Sequence, residues 1–190
     1  MANEYDSAYT GFELDTSITK TLAQPPAGET YHGGWANYSD LATKTTPFAV
    51  TGGAAAVKVP NDGLGVFTIE RGLPDDITRL YNTTTQQFDL TDLKVDDLFT
   101  VRFDIVVTTS NNSQEVFVEL IFAIGEAGEF TSVIAQGTKK LSGEIGFFRD
   151  VGFAAFNTVI IDAPAELRIR SDGDCDMVVN GYYMTTTRIG

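Results

Sequence analysis

Acid–base chemistry near neutral pH needs a side chain that titrates there, and this sequence offers one histidine, His32, within Tyr31-His32-Gly33-Gly34-Trp35. A single imidazole works as a general base only beside a nucleophile and an orienting carboxylate. No motif assembles those partners: G-x-S-x-G, H-E-x-x-H and phosphate-binding glycine loops are all missing from the sequence. His32 therefore reads as a residue of a glycine turn. The lone cysteine, Cys175, stands between Asp174 and Asp176, whose charges raise a thiol's pKa and disfavour the thiolate that a nucleophile needs. It reads as a small residue at the start of a strand. No catalytic residue, no enzyme activity and no cofactor are expected.

Carboxylates are more plentiful. Asp172, Asp174 and Asp176 alternate, so in an extended chain they project from one side and could gather a hard cation through oxygen ligands. The match to a calcium loop fails, because the sixth and twelfth positions counted from Asp172 hold Met177 and Tyr183 where Gly and Glu are required. A polar hairpin tip built on Asp172-Gly173 is the plainer reading, with the cation site as the alternative. The neighbouring acids Asp75-Asp76 and Asp96-Asp97 raise the idea of a glycosidase, which sets two carboxyls about 5 to 10 Å apart across the bond it cuts. Adjacent residues of a strand point to opposite faces, however, and both pairs fall at turn positions, so solvated turns account for them better. Trp35, Tyr38, Tyr81, Tyr182 and Tyr183 could stack on the apolar faces of sugar rings, although core packing is the commoner use of such rings. Of the neighbours Tyr182 and Tyr183, one ring should point in and one out.

Whatever these side chains do, strands must position them. In Leu98 to Thr109 the residues Phe99, Val101, Phe103, Ile105 and Val107 share one face, and Thr100, Arg102 and Asp104 share the other. In Gln114 to Gly125 the apolar face is Val116, Val118, Leu120, Phe122 and Ile124. The polar link Ser110-Asn111-Asn112-Ser113 between the two runs predicts a long antiparallel hairpin. Shorter strands are predicted at Ala55 to Val59, Ile77 to Tyr81, Gln87 to Leu90, Phe130 to Ala135, Glu144 to Phe156, Val159 to Asp162, Ala165 to Ser171, Met177 to Asn180 and Tyr182 to Ile189. No stretch carries a capped helical stripe, so helix content should be low. That many strands in one body predict an all-β, two-sheet antiparallel sandwich with a jelly roll as the leading topology, because one open sheet of that width would leave a face unburied.

The run Glu144 to Phe156 is apolar on both faces, with Phe147 and Phe153 on one parity and Phe148 and Phe156 on the other. Such a strand needs either a neighbouring subunit as its second cover or a bulge that shifts its register midway. Residues 1–28 differ from the rest: they hold few branched aliphatics and end in Gln24-Pro25-Pro26-Ala27-Gly28, a stiff boundary. They read as an extended N-terminal arm ahead of a sandwich over residues 29–190, or else as a first edge strand of that sandwich.

Composition narrows the partners. The 13 basic against 26 acidic residues leave a net charge of −13, which repels phosphate backbones and anionic membrane surfaces, so neither nucleic acid nor membrane is an expected partner. The opening residues lack the positive and apolar regions of an export signal, and no apolar run reaches the ~18 residues of a membrane span. Synthesis and folding in a host cytoplasm are the expectation.

The layout of a Pro-Pro-ended arm, the segment Trp35-Ala-Asn-Tyr-Ser-Asp-Leu-Ala-Thr43, long central strands and a last strand Gly181-Tyr-Tyr-Met-Thr-Thr-Thr-Arg-Ile189 resembles the jelly-roll virion proteins of tailed bacteriophages. The likeness is to capsid decoration (cement) or head-fibre subunits with a fold like that of tumour necrosis factor. It covers residues 29–190 by pattern, with no single diagnostic motif. The resemblance implies a homotrimer on the outer capsid surface of the virion, with the major capsid protein as partner and the N-terminal arm as the fastener. On that basis Tyr5, Tyr9, Phe12, Leu14, Ile18 and Leu22 become candidate anchoring residues, and Phe147, Phe148, Phe153 and Phe156 candidate residues of the oligomer interface. A receptor-binding or fibre-tip module that recognises carbohydrate is the competing function.

Overall fold

Alternation along Leu98–Thr109 (β7) is realised as read: Phe99, Val101, Phe103, Ile105 and Val107 are buried, while Arg102 and Thr108 face solvent. The structure is a computed structural model that describes residues 32–188, apart from residues 75 and 156 and the side chains of residues 32, 71 and 188. The candidate arm residues Tyr5, Tyr9, Phe12, Leu14, Ile18 and Leu22 lie outside the described residues, as do Phe156 and the His32 side chain.

The other strands are β1 (His32–Ser39), β2 (Phe48–Val50), β3 (Val57–Lys58), β4 (Ile69–Gly72), β5 (Tyr81–Asn82), β6 (Gln87–Phe88), β8 (Glu115–Phe122), β9 (Phe130–Thr138), β10 (Gly143–Ala154), β11 (Glu166–Ser171) and β12 (Cys175–Arg188). Two short helices interrupt them, α1 (Ala42–Thr45) and α2 (Thr158–Asp162). The larger sheet runs β10-β7-β12-β1-β4, with β2 also on β12, and the smaller runs β3-β11-β8-β9. β5 and β6 make a separate ribbon.

The pairings are nested. β8 pairs with β9, β7 with β10, β3 with β11 and β1 with β12, all antiparallel, so the chain is one long folded ribbon. Rolling that ribbon sends successive pairs to opposite sheets, and the contacts of β7 with β12 and β8 with β11 close each sheet. The fold is a jelly roll. Its core lies between the sheets, where Phe103, Ile105, Val118, Leu120, Ile169 and Met184 are among the fully enclosed side chains.

Four local expectations are corrected. β7 and β8 do not form a hairpin; their polar link carries the chain from one sheet to the other, which puts both apolar faces on the same core. Val159 to Asp162 is part of helix α2, not a strand, because Asn157 caps it by accepting the N–H of Ile160 at 3.1 Å. The strands expected at Met177 to Asn180 and Tyr182 to Ile189 are one strand, β12, whose register slips by one residue between Val179 and Gly181. The segment Ile77 to Tyr81 is extended only at its end, in β5.

The segment between β1 and β4, which carries α1, β2 and β3, is tied down by two aspartates. Asp40 is fully buried and accepts three hydrogen bonds, from the N–H and the hydroxyl of Thr43 (2.7 and 2.5 Å) and from the N–H of Asp62 (2.8 Å). Asp62 in turn accepts from the N–H groups of Leu41, Ala42 and Leu64 at 2.9 to 3.0 Å. Burial alone pushes the Asp62 carboxyl up, but these N–H donors outweigh it and hold the group below its ordinary value. Asp89 behaves likewise: burial opposes, and the Thr91 hydroxyl and the Arg79 guanidinium (2.7 Å) prevail.

Both shifts make a statement about pH. A carboxylate whose folded pKa is depressed stabilises the fold above its unfolded value and loses that contribution as pH falls, since the unfolded chain then binds protons first. Thermal melts should therefore hold steady down to about pH 4 and fall steeply below it. Asp62→Asn should flatten that fall; an unchanged acid limb would show that Asp62 does not drive it.

Candidate functional site

The outer face of the larger sheet carries the groups that a ligand could meet. On β12 the inward Tyr182 is 1% exposed and the outward Tyr183 is 41% exposed, so the two rings split across the sheet as their spacing requires. Tyr183 stacks with Trp35 of β1, centroids 5.9 Å apart at an interplanar angle of 28°. The indole lies against Gly72 of β4, where a Cβ would come within 2.8 Å of the ring. Glycine is what lets it settle there.

The other three aromatic candidates belong to the core. Tyr38, Tyr81 and Tyr182 pack around one another with centroids 5.3 Å apart along the chain of contacts, and Phe88 joins them. Their hydroxyls are engaged: Tyr38 accepts from the N–H of Leu80, while Tyr81 and Tyr182 donate to the carbonyls of Asn61 and Val59. Burial pushes all three phenols well above their ordinary pKa. They are structural.

Beside Tyr183 the slipped register of β12 opens a cleft of about 550 Å³ lined by Asn37, Lys44, Phe67, Arg102, Asp104, Asn180 and Gly181. Asn37, Tyr183 and Arg102 stand directly opposite one another on β1, β12 and β7. Gly181 forms the floor with a φ of +155°, a conformation that L side chains rarely adopt, and a Cβ there would meet the Tyr38 carbonyl at 2.7 Å. Phe67 forms a wall and is 67% exposed, held through its carbonyl by the Asn37 amide at 2.6 Å. The Asn180 amide donates to Asp104 (2.8 Å), and the Lys44 ammonium donates to the Asn180 carbonyl (3.1 Å).

The remaining candidates have other duties. Asp172 accepts the N–H of Glu115 (2.9 Å) and Asp174 that of Gly52 (2.8 Å), so each staples a different segment to the tip. Among the described residues no three His, Cys, Asp or Glu side chains converge as a metal site would need, and Asp172 and Asp174 are engaged with backbone N–H groups. Cys175 is buried, and burial first, then the charges of Asp176 and Asp174, push its thiol up. Asp97 lies in the turn before β7, as expected, but is buried where a solvated turn was expected, and it accepts the N–H of Lys94 (2.8 Å).

Register along β10 is continuous with β7 from Gly143 to Ala154, so no bulge relieves its two-faced apolar character. Phe147 is 4% exposed in this chain's own core, and Phe153 packs on Phe99 and Phe122 at 4.9 and 4.6 Å. Those two rings are used internally. Phe148 is 56% exposed and lies over Gly146 on the outer face.

No family model matches the chain, and no curated protein matches its sequence. Several solved structures do. Eiger TNF from S. frugiperda matches at 11% identity and a TM-score of 0.47, over 85% of this chain and 94% of that one. A structure of infectious bursal disease virus, Gt strain, matches at 10% and 0.44, over 83% of this chain and a third (33%) of that one. PRD1 vertex protein P5 matches at 12% and 0.37, over 85% and 100%. The jelly roll itself rests on the strand order given above.

Sequence reasoning marked Arg102 and Asp104 as outward on β7 but did not group them with Asn37, Lys44, Phe67 and Asn180. Only the slip at Gly181 and the fold of the 60–68 loop bring those residues together. The one sequence signal was Asn180-Gly181 within an otherwise strand-like run, where an isolated glycine marks a bulge.

Proposed function

We propose that the chain is a non-enzymatic virion structural protein, a homotrimeric decoration or cement subunit on the outer capsid surface. Its partners are its own copies and the major capsid protein, and residues 1–28 are the arm that fastens it. The arm, the trimer and the capsid partner come from the resemblance given above. One observation on the chain itself carries the self-association.

That observation is the side of the sandwich where both sheets end. β9 and β10 are the last strands of the smaller and larger sheets, and they adjoin: a Cβ on Gly137 of β9 would touch Ile145 and Phe147 of β10. Among the described residues no strand pairs along their outer sides, leaving 9 and 12 residues of backbone available. Phe130, Val133, Leu141 and Phe148 are exposed on or beside these two strands. Long, apolar edges invite pairing with another chain and are normally covered.

A second copy is the cover that fits the charge. The chain carries −13 overall, yet residues 139–150 hold Lys139, Lys140 and Arg149 against Glu144 and Asp150. Like copies repel least along this side. The acidic remainder suits an outer surface that keeps away from packaged nucleic acid. Among the described residues no helix is long and apolar enough to cross a membrane.

The test of anchoring is co-sedimentation with emptied capsids of the particle that carries the protein. Removing residues 1–26 should abolish binding while circular dichroism and oligomer mass stay unchanged. Undiminished binding would place the capsid contact on the jelly roll itself.

A further inference from the structure

The outer face of the larger sheet continues from β10 to the cleft beside Tyr183. Phe148 of β10 stands opposite Asp104 of β7, and the next outward row runs Asp150, Arg102, Tyr183 from β10 to β12. A third row runs Gly152, Thr100, Thr185 and ends on Trp35 of β1. Glycine and threonine keep that row low, and beside it stand the exposed rings of Tyr183, Trp35 and Phe67. Arg102 has Asp150 as its direct neighbour and Asp104 one row away, and with Lys44 in the cleft two cations stand against two carboxylates. These rows therefore add nothing to the net charge of −13, and a like copy meets little repulsion over them.

Three copies close a ring only through a heterologous contact, in which one surface of each copy meets a different surface of the next. The β9–β10 side is one such surface. Its complement must carry apolar groups, must not add to the acidic charge, and must lie at an angle to it, because surfaces at opposite ends of a molecule build a filament and not a ring. The outer face of the larger sheet meets all three conditions, since it borders the β9–β10 side along β10 itself. We propose, resting on the assembly reading above, that this face receives the β9–β10 side of the next copy. Trp35 and Tyr183 are covered at the contact, and Phe148 stands at the corner nearest the three-fold axis. Val133 is the exposed side-chain partner at the right height. β9 and β10 run in opposite directions through the short turn that joins them, and Gly137 lies against Ile145 and Phe147. Four residues earlier on β9, Val133 falls near the level of Asp150 and so of the Tyr183 row.

The test uses the full chain, in which the sole cysteine, Cys175, is buried and the sole tryptophan is Trp35. A short bismaleimide should join copies of the double variant Val133→Cys with Tyr183→Cys into covalent trimers, whereas each single variant should stay unlinked, because in a heterologous contact like residues do not meet. Trp35 emission of the unmodified trimer should lie to the blue of that of Phe148→Asp. Tyr183→Asp should raise the concentration at which trimer gives way to monomer by at least about tenfold, the effect of losing one aromatic anchor. Thermal melts should stay unchanged in these variants, since both side chains are exposed. A trimer by light scattering whose double variant does not cross-link, or whose Trp35 emission matches that of Phe148→Asp, would overturn this inference and leave the assembly reading standing. Cross-linking of either single variant would show like residues meeting and would overturn it too. An unmodified chain that runs as a monomer would overturn both.

Discussion

Phe148→Asp is expected to convert the proposed trimer into monomers at micromolar concentration while leaving the fold intact. The ring is 56% exposed on the isolated chain and lies outside the core, so its loss removes no internal packing. Covering a phenylalanine ring is worth about 1.5 to 3 kcal/mol, and a carboxylate in its place must be desolvated at a cost of several kcal/mol more. In a closed ring of three copies the penalty recurs at every interface. Phe147→Ala supplies the contrast. It empties a core site one residue away and should cost about 3 to 5 kcal/mol of folding stability, visible as a lower denaturant midpoint. Were Phe148→Asp to run at trimer mass, the interface would lie elsewhere on the molecule.

Asp40→Ala should be among the most destabilising single changes outside the hydrophobic core, at about 3 to 5 kcal/mol. Its carboxylate is fully enclosed and is the acceptor for three donors, so removal strands the N–H groups of Thr43 and Asp62 without water to replace it. The damage spreads. The Thr43 hydroxyl accepts the N–H of Val179 (2.8 Å) beside the slip in β12, and Lys44, the next residue, forms part of the cleft. Asp40→Asn keeps one acceptor oxygen and should lose markedly less. Urea denaturation of the two variants decides it: equal midpoints for Asp40→Asn and Asp40→Ala would mean that the hydrogen bonds contribute little.

The elements that alternate strictly were legible, and those governed by a partner in space were not. Phe99 to Val107 point inward in the structure as their period predicts, and β7 has the bounds that its pattern suggests. Which strand sits beside β7 depends on how the ribbon rolls, and no local pattern records that, so the expected β7–β8 hairpin proved to be a crossing between sheets. Val159 to Asp162 misled because four apolar and β-branched residues fit a strand, whereas the deciding feature was the cap at Asn157. For the candidate site, alternation placed Tyr183 and Arg102 outside and Tyr182 inside. It could not reveal that Tyr38 and Tyr81 would be used in the core, since both depend on contacts with residues far along the chain.

The same logic separates the three described phenylalanines of β10. Parity alone divided Phe147 and Phe153 from Phe148, and the continuous register with β7 preserved that division. What parity lacked was the burial of one side by this chain's own smaller sheet. The outer side keeps its exposed ring, next to two edges of backbone with no strand beyond them among the described residues.

The central claim is that sister copies cover the β9–β10 side, and the mass of the full chain in solution tests it most directly. Multi-angle light scattering across a dilution series should give three times the 20.6 kDa chain mass. A single species at 20.6 kDa over the whole series would contradict the account.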